Sequence, residues 1–181
     1  MEYHNSVILN SGQKCIIRSA KYADGPEVLD LFMRSLSESD YLLSYPEECG
    51  LDAKQESEFL QARADSADEV MLLALIDHTV AAMASISPVG KKEKVKHRAG
   101  FGVAVSKEYW GLGIGKALTS ACVECAEKAG YKQIELETVA DNSRAAELYR
   151  HMGFLEYGRN PMGFISKHSG VQELVYMRLV L

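Results

Sequence analysis

Residues 109–118 read YWGLGIGKAL, with glycines at 111, 113 and 115 running into a helical pattern. Glycine is poor helix material and loses much backbone entropy on folding, so this loop must need a backbone free of side chains. Between a strand and a helix, such a loop is an anion site. Free N–H groups at the helix start point outward, and the helix dipole adds about half a positive charge. Two phosphate loops can be tested against it. A P-loop needs G-x-x-x-x-G-K-[ST]; counting back from Gly115-Lys116, the first glycine position holds Trp110, and Ala117 replaces the hydroxyl. A dinucleotide fingerprint G-x-G-x-x-G begun at Gly111 and Gly113 puts Lys116 at the third glycine. Both fail.

Further along stands Asn142-Ser143-Arg144-Ala145-Ala146-Glu147-Leu148-Tyr149-Arg150-His151-Met152-Gly153-Phe154. Asn142 suits a helix N-cap, and Tyr149 falls two helical turns later on roughly the same face. Glu135 and Glu137 alternate within a strand pattern and share one face of it, where a carboxylate can act as a base. Of the cysteines, Cys15, Cys49, Cys122 and Cys125, only the last two show C-x-x-C spacing, and they lie inside a helical pattern. With no second Cys or His pair to complete a zinc site they read as reduced structural thiols, which points to the cytoplasm.

The elements that must position these residues follow from periodicity. Residues 5–9 and 14–18 flank Ser11-Gly12 and read as an N-terminal hairpin. Asp24-Gly25-Pro26-Glu27 has capping-box spacing and opens a helix with the stripe Val28, Leu29, Leu31, Phe32 and Leu36. A second helix is expected over 52–64, with Phe59 and Leu60 facing inward. Residues 70–77 and 79–87 make a hairpin about Asp77-His78. The charged run 91–96 reads as a wet loop leading to a strand over 97–105. After the glycines a helix runs to Gly130, followed by a strand over 131–138, a helix from Asn142 to Gly153, and strands over 154–159 and 171–180. This is a single α+β domain over 1–181, a mixed and largely antiparallel sheet flanked by helices. The hairpin and last strands offer pairing edges, and a homodimer is one use of them.

A chain of 181 residues, 47% hydrophobic, is long enough for one substantial core. Its net charge of −5 argues against a nucleic-acid surface. The N-terminus lacks a basic region before an apolar run, and no apolar stretch nears the roughly 18 residues that cross a bilayer.

Trp110-Gly111-Leu112-Gly113-Ile114-Gly115 resembles the pyrophosphate loop [QR]-x-x-G-x-[GA] of the GNAT superfamily of acyl-CoA-dependent N-acetyltransferases, with Trp110 in place of Gln or Arg. Residues 142–154 resemble the same family's N-x-x-A-x-x-L-Y-x-x-x-G-F at every fixed position. One helix and one strand separate the blocks, as the family's core requires. The resemblance implies transfer of the acetyl group of acetyl-CoA to a primary amine, by direct attack in a ternary complex. It implies that backbone N–H groups of Gly111, Leu112, Gly113, Ile114, Gly115 and Lys116 hold the pyrophosphate, where a Cβ at Gly113 or Gly115 would push phosphate away. Val103, Ala104 and Val105 would lend their strand edge to the pantetheine arm, with the Val105 N–H facing the oxyanion. Asn142 would reach the cofactor arm and Tyr149 would act as general acid.

The base is left open. Many members carry a glutamate on the strand before the loop, but residues 99–105 read AGFGVAV, so Glu135, Glu137 and a water chain remain candidates. In the family, residues 36–48 and 172–176 would line the acceptor pocket. A small-molecule amine is the preferred acceptor, with a protein N-terminus or lysine as the alternative. Two other classes are a non-catalytic acyl-CoA-binding module and a nucleotide-binding domain on a doubly wound sheet.

Overall fold

The run VMLLALI at 70–76 has no polar face, so a strand formed from it must be covered on both sides. The computed structural model, which describes all of residues 1–181, shows how this is met. Val70–Ile76 is β3, and it turns through Asp77 and His78, both at positive φ, into β4 (Thr79–Pro88). Positive φ at both central residues matches the hairpin turn that fits strand twist. On one side lie α1 (Gly25–Glu38) and α2 (Ala53–Asp65), whose Val28, Leu31 and Leu60 pack on Leu73, Val80 and Met83. On the other lies α3 (Ile114–Lys128), which brings Leu118, Ala121, Cys122 and Cys125 against Leu72, Ala74 and Ala82. All four cysteines are free thiols, and Cys122 and Cys125 are buried.

The remaining strands are β1 (His4–Ile8), β2 (Lys14–Ser19), β5 (Arg98–Val105), β6 (Gln133–Val139), β7 (Leu155–Ser166) and β8 (Gly170–Val180), with α4 (Ser143–His151) between β6 and β7. They form one 8-stranded sheet in the order β1-β2-β3-β4-β5-β6-β8-β7. Every neighbouring pair is antiparallel except β5 and β6. A single parallel pair rules out the doubly wound sheet and confirms the mixed α+β class.

Three local expectations change. Phe59 is 43% exposed rather than inward; only Leu60 of that pair is buried. The guanidinium of Arg63 instead covers the Phe59 ring at 4.5 Å. Asp24 and Glu27 form no capping box on α1. Asp24 pairs with Arg18 at 2.7 Å and accepts from the Lys21 N–H, and the Glu27 carboxylate accepts from the Val80 N–H at 2.8 Å. Strand β7 runs to Ser166, well past 159, with register shifts against β8 near Gly158 and between Asn160 and Phe164. The α1–α2 contact is also tight, because a Cβ on Gly25 would sit 2.1 Å from the Ser57 Oγ.

Candidate active site

The site begins where the parallel pair comes apart. Strands β5 and β6 pair only at Arg98–Gln133, Ala99–Ile134 and Gly100–Glu135, whereas β5 stays paired with β4 as far as Val105–Ala82. Beyond Gly100, one edge of β5 therefore has no strand beside it. The Ser106 N–H donates to Ala81 on β4, so by strand alternation the main-chain groups of Phe101, Val103 and Val105 face the open edge. The gap is a cavity of about 670 Å³, lined by Val103, Ala104 and Val105 among others.

The glycine loop closes one end. Gly111 has φ 84° and Gly113 has φ 91°, left-handed values that L side chains rarely adopt. Gly113 is the N-cap of α3, so the N–H groups of the first turn are free toward the cavity. Gly111, Gly113, Ile114, Gly115 and Lys116 all line it. Leu112 does not: its carbonyl accepts from the Asn10 N–H at 3.2 Å and its side chain packs on the core. Gly111 and Gly113 are thus required by the backbone itself. At Gly115 the reason is packing, since a Cβ would lie 3.2 Å from Leu148 of α4. Trp110 folds back, its indole N–H donating to the Val105 carbonyl at 2.7 Å.

Helix α4 supplies the other wall. The Asn142 Oδ1 accepts from the Ala145 N–H at 3.3 Å, so it caps the helix while lining the cavity. Tyr149 is 7% exposed and also lines it. Its ring stands edge-on to Phe101 at 6.1 Å and tilted on Phe154 at 5.8 Å. Burial alone pushes its phenol pKa up to about 12.

The two glutamates separate. Glu137 lies on the cavity wall, exposed. Glu135 does not reach the cavity. It sits at the last position of β6 that pairs with β5, where the Arg98 guanidinium binds it at both oxygens and the Gln133 amide adds a bond at 2.7 Å. The hydrogen bonds from Arg98 hold its carboxyl below the usual range, so it stays a carboxylate in an ion pair. An i, i+2 spacing put both on one face, but the sheet splits between them.

The third side is the α1–α2 segment, with Ser39, Tyr41, Leu42 and Leu43 on the cavity wall. Asp40 fastens this segment to the β7–β8 turn. Its carboxylate accepts from the hydroxyls of Ser166, at 2.7 and 2.6 Å, and of Ser169. The Tyr45 hydroxyl accepts from the Lys167 N–H at 2.7 Å. Phe164 lines the cavity from β7, while of residues 172–176 none does. Asn10, from the turn between β1 and β2, also lines it and carried no signal in the sequence. No helix is long and apolar enough to cross a membrane.

This geometry has known counterparts. Residues 28–154 match the acetyltransferase (GNAT) family. Among curated relatives, N-alpha-acetyltransferase 30 of Schizosaccharomyces pombe is 40% identical over 57 residues, 32% of this chain and 38% of that protein. A mycothiol acetyltransferase of an Arthrobacter species is 40% identical over 60 residues, 33% of this chain and 19% of that protein. The chain thus matches well under half the length of either. Among solved structures, a GNAT-family acetyltransferase from Streptococcus pneumoniae superposes with TM-score 0.88 at 23% identity, over 92% of this chain and 99% of that one. An acetyltransferase from Salmonella typhimurium, determined with its cofactor acetyl-CoA, gives TM-score 0.82 at 18% identity, over 92% and 94%. With the family match covering most of its length, the chain belongs to the GNAT acetyltransferase family, whose members draw their acetyl group from acetyl-CoA.

Proposed function

We propose that this protein transfers the acetyl group of acetyl-CoA to the primary amine of a small molecule, by direct attack with both substrates bound. One observation carries the reading. A single cavity brings together an unpaired strand edge, a left-handed glycine loop, Asn142, a buried tyrosine and the exposed carboxylate of Glu137. The residues fit acetyl-CoA: the loop amides hold a diphosphate, and the open edge of β5 receives the amide groups of a pantetheine arm as an added strand would. When bound, the thioester supplies an activated acetyl group. The N–H groups of Val103 and Val105 are the donors available to its carbonyl oxygen.

An alkyl amine with a pKa near ~10.4 is mostly protonated at neutral pH, a handicap of about 4–5 kcal/mol. Of the two glutamates considered as base, Glu137 is the one that lines the cavity, and it accepts that proton directly or through water. Tyr149 holds its proton throughout the neutral range and donates a hydrogen bond to the departing sulfur, which leaves as a thiolate and takes its proton from water. The fastened α1–α2 segment beside the cavity supports a small acceptor. A protein N-terminus is the second reading, favoured by the S. pombe N-alpha-acetyltransferase and by a Brucella melitensis ribosomal-protein-alanine N-acetyltransferase of TM-score 0.80.

The test is thiol release from acetyl-CoA over a panel of small amines and N-terminal peptides, with wild type and Y149F. Turnover of small amines that collapses in Y149F supports the proposal. Turnover of peptides alone moves the acceptor to the second reading. Coenzyme A binding with no turnover of any amine refutes the enzymatic role and leaves an acyl-CoA-binding module.

A further inference from the structure

Lys116, in the first turn of α3, and Arg144, on α4 over the ring of Trp110, are the cations on the cavity wall. Neither takes part in the chain's ion pairs. Asp141 lines the cavity too and bonds to neither of them. In a chain with a net charge of −5, where most arginines sit against carboxylates, an unpaired arginine beside an anion site calls for an anion.

Arg144 is also held in place. Its guanidinium carbon lies 5.0 Å from the centre of the Trp110 ring. Trp110 is itself pinned through its indole N–H to the Val105 carbonyl at 2.7 Å. This cation–π contact uses none of the guanidinium N–H donors, and none of them bonds elsewhere in the protein. A side chain ordered before the ligand arrives loses less entropy on binding. Trp110 stands where the family carries Gln or Arg. Here that position supplies a platform, and the charge comes from α4.

A second side chain reaches the loop from the N-terminal hairpin. The turn is closed by Leu9 N–H to the Gln13 carbonyl and Gly12 N–H to the Leu9 carbonyl, both 2.9 Å. At its tip the Asn10 N–H binds the Leu112 carbonyl, which fixes the peptide before Gly113. The Asn10 carboxamide lies beside Gly113, 3.5 Å from where a Cβ would be, and lines the cavity.

We propose that Arg144 and Asn10 are side-chain ligands of the cofactor diphosphate, completing from α4 and the β1–β2 turn a site whose floor is the glycine-loop backbone. Trp110 is the positioning residue for Arg144. The inference rests on the acetyl-CoA reading of the cavity but not on which amine is acetylated.

Binding distinguishes the two without any acceptor. Coenzyme A, 3′-dephospho-coenzyme A and S-acetylpantetheine are titrated calorimetrically into wild type, R144A, R144K and N10A, with ligand-free melting curves as the folding control. R144A is expected to weaken the two nucleotide ligands equally, by about tenfold, and N10A by about threefold. R144K, which keeps the charge without the planar fork, falls between wild type and R144A. S-acetylpantetheine binds all four proteins alike. A loss that extends to S-acetylpantetheine shows action through the fold and overturns the proposal. So does a loss confined to coenzyme A, which assigns Arg144 to the 3′-phosphate, and so does unchanged affinity throughout. Wild type that binds none of the three overturns the cofactor reading together with the inference.

Discussion

Replacing Tyr149 by Phe removes one oxygen from the cavity wall and little else. The ring keeps its contacts with Phe101 and Phe154, and burial is the sole cause of the phenol's shift, with no hydrogen-bond partner contributing. Folding stability should therefore change by less than about 0.5 kcal/mol, since no bond is broken and a buried polar atom is removed. Catalysis should change far more. The phenol is pushed up to about 12, against ~8.5 for a thiol, so full proton transfer to a free thiolate would be uphill by about 5 kcal/mol. In the proposed role Tyr149 therefore acts through a hydrogen bond that strengthens as charge gathers on sulfur. Its loss should lower kcat by about 10²-fold or more, roughly 3 kcal/mol, with the coenzyme A Kd little changed. Because the phenol stays protonated below about 12, wild-type kcat should show no descending limb from it between neutral pH and ~10. Thiol-release kinetics across pH, calorimetric Kd and melting curves read all three. A Y149F enzyme within twofold of wild-type kcat, or one that melts well below it, refutes the reasoning.

Further expectations follow from the same geometry. E137Q should lower kcat by about 10²-fold while leaving the coenzyme A Kd unchanged, because the carboxamide cannot take the amine proton; a parallel loss of cofactor affinity would contradict the assignment. G113A forces a side chain to φ 91°, which costs about 1–2 kcal/mol, so both melting temperature and coenzyme A affinity should fall. E135Q tests the ion pair with Arg98. The folded carboxyl titrates below its unfolded value, so the pair contributes stability above the unfolded pKa and loses it as pH falls through the folded one. E135Q should thus be less stable than wild type by about 1 kcal/mol at pH 7, with the gap closing under acid, as denaturant melts at pH 7 and pH 3 would show. D40A should release residues 39–45 from the β7–β8 turn, seen as faster amide exchange there and not in the glycine loop.

Features set by local chemistry were legible in the sequence. The glycine pattern before Ile114, the Asn142 cap, the helix it opens and the apolar strands each follow from short-range rules, and each stands in the structure. Features set by a distant partner were not. Asp24 and Glu27 have capping-box spacing, yet Arg18 and the Val80 N–H are stronger or nearer partners. Phe59 is apolar, yet Arg63 covers it on the outer face. Glu135 and Glu137 share a strand face, but only the divergence of β5 and β6 decides which meets the cavity. Asn10 belongs to a hairpin that reads as ordinary until its turn is found against Gly113, and the Asp40 fastening joins residues 126 positions apart.

In the proposed reaction this cavity presents acetyl-CoA to Glu137 and Tyr149. A crystal structure of the protein with coenzyme A tests it most directly. The diphosphate should lie on the amides of Gly111 and of residues 113–116, the pantetheine arm along the open edge of β5, and the sulfur within hydrogen-bonding distance of the Tyr149 hydroxyl. A diphosphate bound away from the glycine loop, or a sulfur out of reach of that hydroxyl, would contradict the account.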